Sequence, residues 1–372
     1  MQKPDFSLAA LVAMLLAVSF CPVAAGEIAT NNLLASQTRT FDPRFVPMSL
    51  HTRGKKVLDA SRKPVWLYGV NIASLEWTNG GEHVEESVNH AIGDWKANLI
   101  RLPLSQDSWF GKMTNQTDGG AAYRALVDKL VDTCAAGNVY IDLDLHWSDC
   151  GRWMNEGGPH GQHKMPDKNS ITFWQDAATR FKNQPNVIFG LYNEPHDTSF
   201  AVWRDGGTVK DKPARWNPSQ AVVIYEAVGL QKLYDTVRAT GATNVVTVSG
   251  LDWGYDLSGV LHGYGIKGSN LIYETHPYAD KKKWDRSFGD TSWKYPVYMG
   301  EWGFDKRNTN GLEYAQNLMR YARKHKLHWT AWDMHTAAGP TLIKNWEYEP
   351  TASGQFVKEQ LEAAAAARGP NK

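Results

Sequence analysis

Eight short apolar runs, rich in β-branched and aromatic residues, recur along the chain at 65–70, 99–102, 139–145, 187–192, 245–248, 271–273, 297–299 and 329–332. Between several of them lie longer stretches with apolar residues at helical spacing, clearest at 123–135, 171–182, 220–239, 312–326 and 355–366. Strands that alternate with helices pair in parallel, because a parallel connection must cross the sheet and a helix usually covers it. Eight such units predict an α/β chain closed into a single (β/α)8 barrel, the TIM-barrel architecture. The alternative, an open doubly wound sheet, requires a glycine-rich phosphate turn after its first strand, and none follows Val70. A length of 372 residues suits one barrel with loop insertions, and no Pro- or Gly-rich linker is long enough to divide it. Ser170 is the expected cap of the helix that includes 171–182.

The barrel does not begin at residue 1. Lys3, an apolar run over 8–20 and the small residues Val23-Ala24-Ala25 predict an export signal over 1–25, too short in its apolar part to span a bilayer. A polar, turn-rich arm over 26–50 follows, leaving 51–372 for the barrel domain. No membrane association is expected once the signal is removed. Cys21 goes with the signal. Cys134 and Cys150 flank the run at 139–145, a strand of about 20 Å at ~3.3 Å per residue. That keeps them beyond the roughly 7 Å between Cα atoms that a disulfide allows, so two separate thiols are expected. Lys and Arg number 40 against 39 Asp and Glu, a net charge of +1 that supplies no field for binding nucleic acid. The outlying figure is aromatic, with 16 Trp, 15 Tyr and 12 Phe, so the core or a surface groove must be rich in rings.

In a (β/α)8 barrel, functional residues collect at the C-terminal ends of the strands. Just past or within the apolar runs stand Asn71, Arg101, His146 with Trp147, Asn193 with Glu194, Ser249, His276 with Tyr278, Glu301, and Trp332. Recurrence of such residues at one end of successive strands implies a shared polar cleft. Glu194 follows the fourth run and Glu301 the seventh, nearly opposite one another across a barrel. Paired carboxyl groups facing over a cleft suit glycoside hydrolysis: about 5 Å apart in retaining enzymes, wider where a water must fit between them.

These residues lie in Asn98-Leu99-Ile100-Arg101-Leu102-Pro103, Asp144-Leu145-His146, Asn193-Glu194-Pro195, His276-Pro277-Tyr278, Gly300-Glu301-Trp302-Gly303 and Ala331-Trp332. In this order and at this spacing the chain resembles glycoside hydrolase family 5 over nearly all of 50–367. The resemblance implies that Glu194 is the general acid/base and Glu301 the nucleophile of a retaining endo-β-1,4-glucanase, a secreted cellulase that needs no cofactor or metal. Glu194 must carry a proton at working pH, which the negative charge of Glu301 favours until a covalent intermediate neutralises it. Arg101 and Tyr278 hold the family positions that orient Glu301. Asn193 corresponds to the residue that bonds the sugar 2-hydroxyl, His146 and His276 to further hydrogen-bonding groups, and Trp332 to a platform under the sugar ring.

The expected partner is a β-glucan polysaccharide or oligosaccharide. Sugar rings present apolar faces with hydroxyl edges, and Trp77, Trp109, Trp147, Trp153, Trp203 and Trp253 fall in loops on the catalytic side, where they are expected to pave a groove. Trp66, Trp95 and Trp174 fall in strand or helix patterns and are expected to pack. His160 and His163 near Asp149, Glu156 and Asp167 are too loosely spaced for a metal site and read as a cleft rim. The stretches 193–197 and 249–253 resemble endo-acting cellulases. Mannan, xyloglucan and mixed-linkage glucan fit the same catalytic set, and a barrel that binds carbohydrate without cutting it is the rival of another class.

Overall fold

The computed structural model describes residues 47–113, 115–148, 161–211 and 222–368. Eight parallel strands close in chain order into a barrel: β1 (Tyr68–Asn71), β2 (Leu99–Ser105), β3 (Tyr140–Trp147), β4 (Val187–Gly190), β5 (Val246–Ser249), β6 (Leu271–Thr275), β7 (Val297–Met299) and β8 (His328–Ala331). β8 pairs with β1, Trp329 opposite Tyr68, so no edge is left open. Each apolar run contributes one strand. The first starts later than its apolar residues do, because Val65 N–H donates to Val57 O and Pro64 bridges Leu58, continuing a small hairpin of His51–Arg53 and Lys56–Leu58. Trp66 in that stretch is 40% exposed beside His328, contrary to the packing role expected of it.

The helices are α1 (Val84–Gly93), α2 (Ala121–Ala136), α3 (Lys168–Phe181), α4 (Leu230–Ala239), α5 (Gly311–His325) and α6 (Ala352–Arg368). The sequence pattern did not mark α1. Asp167, not Ser170, caps α3: its carboxylate accepts from the backbone of Asn169 and Ser170, while the Ser170 hydroxyl donates to Gln106. The apolar stretch at 220–239 is a helix only in its second half. Val223–Val228 instead pairs antiparallel with Gly206–Asp211, as its β-branched and aromatic content favours, and the extended backbone at Gly229 separates strand from helix.

Alternation along the strands divides the core in two. Ile100, Leu102, Ile141, Leu143, Phe189 and Val248 pack outward against the helices. On the inside, Leu99, Tyr140, Ile188, Ile272 and Tyr298 form an apolar layer at the N-terminal end, sealed by Leu50 and Val57 of the hairpin region. The inward positions nearer the C-terminal end are Arg101, Asp142, Asp144 and Glu274, all buried. The apolar plug below closes the polar layer from that side, so among the described residues it faces the loops above.

The expected export signal and nearly all of the arm fall on residues 1–46, outside the described residues. Among the described residues, no helix is long and apolar enough to cross a membrane. Cys134 is a free thiol, and burial raises its pKa; Cys150 lies outside the described residues.

Gly69 marks a tight point of the barrel, where an added Cβ would stand 1.6 Å from the backbone oxygen of Leu99. That oxygen belongs to the neighbouring strand and cannot swing aside. Gly69→Ala is therefore expected to destabilise the protein by about 2–3 kcal/mol or more, read as a lowered urea midpoint; an unchanged midpoint would show that β1 and β2 can separate.

Candidate active site

At the C-terminal mouth of the barrel, the side chains are organised around Arg101, which is fully buried. Its Nη1 donates to Glu301 Oε1 at 2.9 Å and to Asn71 Oδ1 at 3.0 Å, and its Nη2 donates to Asn193 Oδ1 at 2.7 Å. It also pairs with Asp144 Oδ2 at 3.1 Å and, through Nε, with Glu274 Oε1 at 3.0 Å. Burial opposes the charge, but Asp144, Glu274 and Glu301 hold its pKa well above the usual arginine value.

Two histidines with opposite electrostatics flank this cation. His276 places Nδ1 2.8 Å from Glu194 Oε1 and 3.7 Å from Glu301 Oε2, with Nε2 3.0 Å from Glu274 Oε1. Burial alone would favour the neutral ring, yet Glu301, Glu194 and Glu274 lift its pKa to about 10, so it is an imidazolium donating from both nitrogens. His146 Nδ1 lies 2.7 Å from Asp144 Oδ2, and its Nε2 is 3.2 Å from Asn193 Nδ2. Burial, helped by the charges of Arg101 and His276, pushes its pKa down to about 3. The neutral ring then donates from Nδ1 to Asp144 and accepts at Nε2 from Asn193.

Glu301 is 4% exposed and receives Tyr278 Oη on Oε2 at 2.9 Å, while Arg101 holds Oε1. Burial lifts its pKa above the usual carboxylate value, with Glu194 adding to the rise and the cations His276 and Arg101 opposing it. The Glu194 side chain is 18% exposed, and its backbone oxygen accepts from Gln162 Nε2 at 2.6 Å. Asn193 Nδ2 also donates to Gln162 Oε1 at 2.6 Å, so its amide is bonded on both sides. Glu194, His276 and Glu301 each bring one potential ligand atom within 4.8 Å of the others. In this arrangement each ring nitrogen of His276 already has a carboxylate partner, Glu194 on Nδ1 and Glu274 on Nε2. His160, Asp149 and Glu156 of the looser cluster lie outside the described residues, and Asp167 is engaged in capping α3.

The expected aromatic residues divide. Trp332 packs its ring against His146, centroids 5.5 Å apart at 19°, and donates Nε1 to Ala338 O. Trp147 is half-buried, 6.1 Å from Trp77. Trp253 is 45% exposed and stacks on His196 at 3.5 Å. Trp203 is not in the groove: it is fully buried, with Nε1 bonded to Ser249 O at 2.9 Å, because Phe200–Asp205 folds as a short helix that turns the ring inward. Trp109 is buried likewise and donates to Asp176. Trp153 lies outside the described residues. Two site residues escaped the sequence reading. Glu274 bridges Arg101 and His276, and its signal was register, two residues before His276 on the same inward face. Gln162 had no such signal, since it reaches the site from a loop.

With the geometry established, comparison with known proteins gives a consistent result. The family model "Cellulase (glycosyl hydrolase family 5)" matches residues 58–338. Endoglucanase N of Pectobacterium atrosepticum is 24% identical over 334 residues, covering 83% of this chain and 64% of the relative. An endoglucanase of Paenibacillus polymyxa is 25% identical over 353 residues, with 80% of this chain and 83% of the relative covered. This chain thus spans just under two thirds of the length of the Pectobacterium relative. Among solved structures, a β-glucanase of Saccharophagus degradans in complex with cellotetraose aligns at a TM-score of 0.68 and 22% identity, covering 88% of this chain and 97% of that one. The catalytic domain of a Thermobifida fusca endoglucanase, also with cellotetraose, aligns at 0.62 and 17% identity, covering 84% and 97%. These likenesses agree with the closed barrel, and the family match extends over most of the chain: it belongs to the cellulase family, glycosyl hydrolase family 5.

Proposed function

We propose that this protein is a secreted, retaining endo-β-1,4-glucanase in which Glu194 is the acid/base and Glu301 the nucleophile. The observation that carries this is the approach of the two side chains, each with an oxygen within 4.8 Å of the other's. Retaining enzymes space their carboxyl groups about 5–5.5 Å apart, whereas the inverting route needs about 6.5–9.5 Å. Export rests on the leader-like sequence of residues 1–25.

In this mechanism Glu194, the more exposed of the pair, delivers a proton to the glycosidic oxygen as Glu301 attacks the anomeric carbon from the opposite face. Arg101 and Tyr278 each hold one Glu301 oxygen and so set the direction of attack. Once the glycosyl ester forms, the negative charge beside Glu194 is gone. Glu194 can then take a proton from the water that attacks the ester, restoring both groups. The cation of His276, bonded to Glu194 and close to Glu301, keeps the two carboxyl groups together at little repulsive cost. Asn193, fixed by Arg101 and His146, stands beside Glu194 to bond the sugar 2-hydroxyl. Trp332 offers its ring as a platform, with Trp147 and Trp253 further along the groove. β-1,4-Glucan is the favoured polymer because the family relatives are endoglucanases and two similar folds were solved with cellotetraose.

Wild-type protein should release reducing ends from carboxymethyl cellulose faster than from mannan or xyloglucan, and Glu301→Gln should lower that rate by about 10⁴-fold or more with an unchanged circular dichroism spectrum. Full activity in the variant would remove Glu301 from the mechanism. Proton NMR during early hydrolysis should show the β-anomer first; an α-anomer would mean inversion. His276 also ties stability to pH. The folded protein keeps its proton to about pH 10, while an unfolded chain releases it near ~6.5, so its stabilising contribution is complete below about 6.5 and lost as pH rises toward 10. The denaturation midpoint of wild type should therefore fall over that interval more steeply than that of His276→Gln. Parallel profiles would show that the imidazolium is not held.

A further inference from the structure

Beyond the catalytic centre lies a cavity of about 930 Å³ between the segment 279–286 after β6 and residues from Arg307 to Tyr321 after β7. A smaller one of about 190 Å³, lined by Tyr278 and Pro340 among others, joins the two regions. It shares Ala279, Asp280, Arg307 and Asn308 with the larger cavity, and Tyr278 is bonded to Glu301. The two cavities therefore adjoin, and the smaller reaches as far as Tyr278, whose hydroxyl holds Glu301.

The distal cavity has an aromatic floor. Trp284 packs against Tyr321 at 5.3 Å and Tyr314 at 6.3 Å between centroids, both steeply inclined. The tyrosine hydroxyls are occupied, Tyr321 donating to Asp285 and Tyr314 to Pro277 O. The indole N–H of Trp284 is buried and has no hydrogen-bond partner. That N–H is closed off from the cavity, so the ring offers the cavity its apolar surface rather than a donor. The ring stands just before a π-helical turn, Asp285–Gly289, a distortion found often at functional sites. Around the floor, Asn308, Asn310 and Asn317 supply amide groups that can both donate and accept.

The charges do not select an ion. Lys281 is tied to Asp252 and Arg307 to Asp305, and the remaining Lys282, Lys283 and Arg286 are matched in number by Asp280, Asp285 and Glu313. Aromatic faces, amide edges and balanced charge fit a neutral sugar, and the volume lies within the roughly 300–1,000 Å³ of small-molecule sites. We propose that this cavity is an accessory glycan site, approached from the catalytic face past Tyr278, which holds a remote segment of a β-glucan chain. The chain type rests on the endoglucanase reading above; the site itself does not require catalysis.

Two variants test it. Trp284→Ala removes the floor, and Glu313→Trp fills the cavity from an exposed position on α5 without touching the core. In native gels containing barley β-glucan, the Glu301→Gln protein should be retarded, and either cavity change added to it should weaken that retardation. In the active background, both variants should raise the KM for lichenan by about fivefold while turnover of nitrophenyl β-cellobioside, which is too short to leave the cleft, stays at the wild-type rate. Unchanged retardation with Glu313→Trp overturns the proposal. A parallel loss of nitrophenyl cellobioside turnover also overturns it, because the effect would then run from Tyr314 through Pro277 into the catalytic turn. Should wild type hydrolyse neither substrate, the endoglucanase reading fails and gel retardation alone decides the accessory site.

Discussion

The catalytic face depends on one buried guanidinium. Arg101 leaves β2 pointing into the barrel and touches Asn71 at the end of β1, Asp144 on β3, Asn193 beyond β4, Glu274 on β6 and Glu301 beyond β7. A charge taken wholly out of water survives only if its partners are close and well aimed, and here they come from five other strands or strand ends. The planar fork of arginine is what allows this, since its donors diverge in fixed directions that a lysine ammonium could not match. The same contacts that neutralise Arg101 also fix the rotamers of Asn193 and Glu301. The electrostatic requirement of one residue therefore places the others.

The two histidines show how finely that network divides charge. Both are buried on the inward face near the same cation, yet His276 is driven to about 10 and His146 to about 3. The difference lies in what each ring touches. His276 has a carboxylate on each nitrogen and a third nearby, enough negative charge to outweigh desolvation. His146 has one carboxylate, already shared with Arg101, and an amide on the other side. A proton on His146 would add a third cation to Arg101 and His276, whereas a proton on His276 separates three acids that would otherwise repel one another.

Much of this was legible before any coordinates. Every barrel strand announced itself as a short, largely apolar run, because its outward face packs against helices and its first inward residues fill the apolar plug. The polar inward residues such as Asp142, Asp144 and Glu274 come nearer the C-terminal end. The residues that break those runs at Arg101, His146, Glu194, His276 and Glu301 stood out for the same reason. What stayed hidden depends on contacts distant in sequence. Val223–Val228 carries apolar residues compatible with either a strand or a helix, and only its pairing with Gly206–Asp211 decides between them. Trp203 has the sequence environment of a loop, and its inward turn follows from a short helix seated over Ser249. Gln162 is separated from Asn193 by a whole βα unit, so no local pattern could join them.

The tryptophan surplus serves two purposes through one property of the ring. Trp95, Trp109, Trp174 and Trp203 are fully buried, and those on the catalytic side spend their N–H on protein acceptors: Asp176 for Trp109, Leu191 O for Trp174 and Ser249 O for Trp203. Such bonds tie loops and helices to the strand ends. Trp332 and Trp77 also bond through Nε1, to Ala338 O and Glu82; Trp332 is 8% exposed against His146 and Trp77 is half-buried. A ring held at its polar edge and bare on its face is suited to an uncharged polymer, whose sugar rings offer apolar faces and no net charge to attract. That suits a chain whose own charges nearly cancel, with a cation and its carboxylates gathered where bonds are to be broken and aromatic surface beside them.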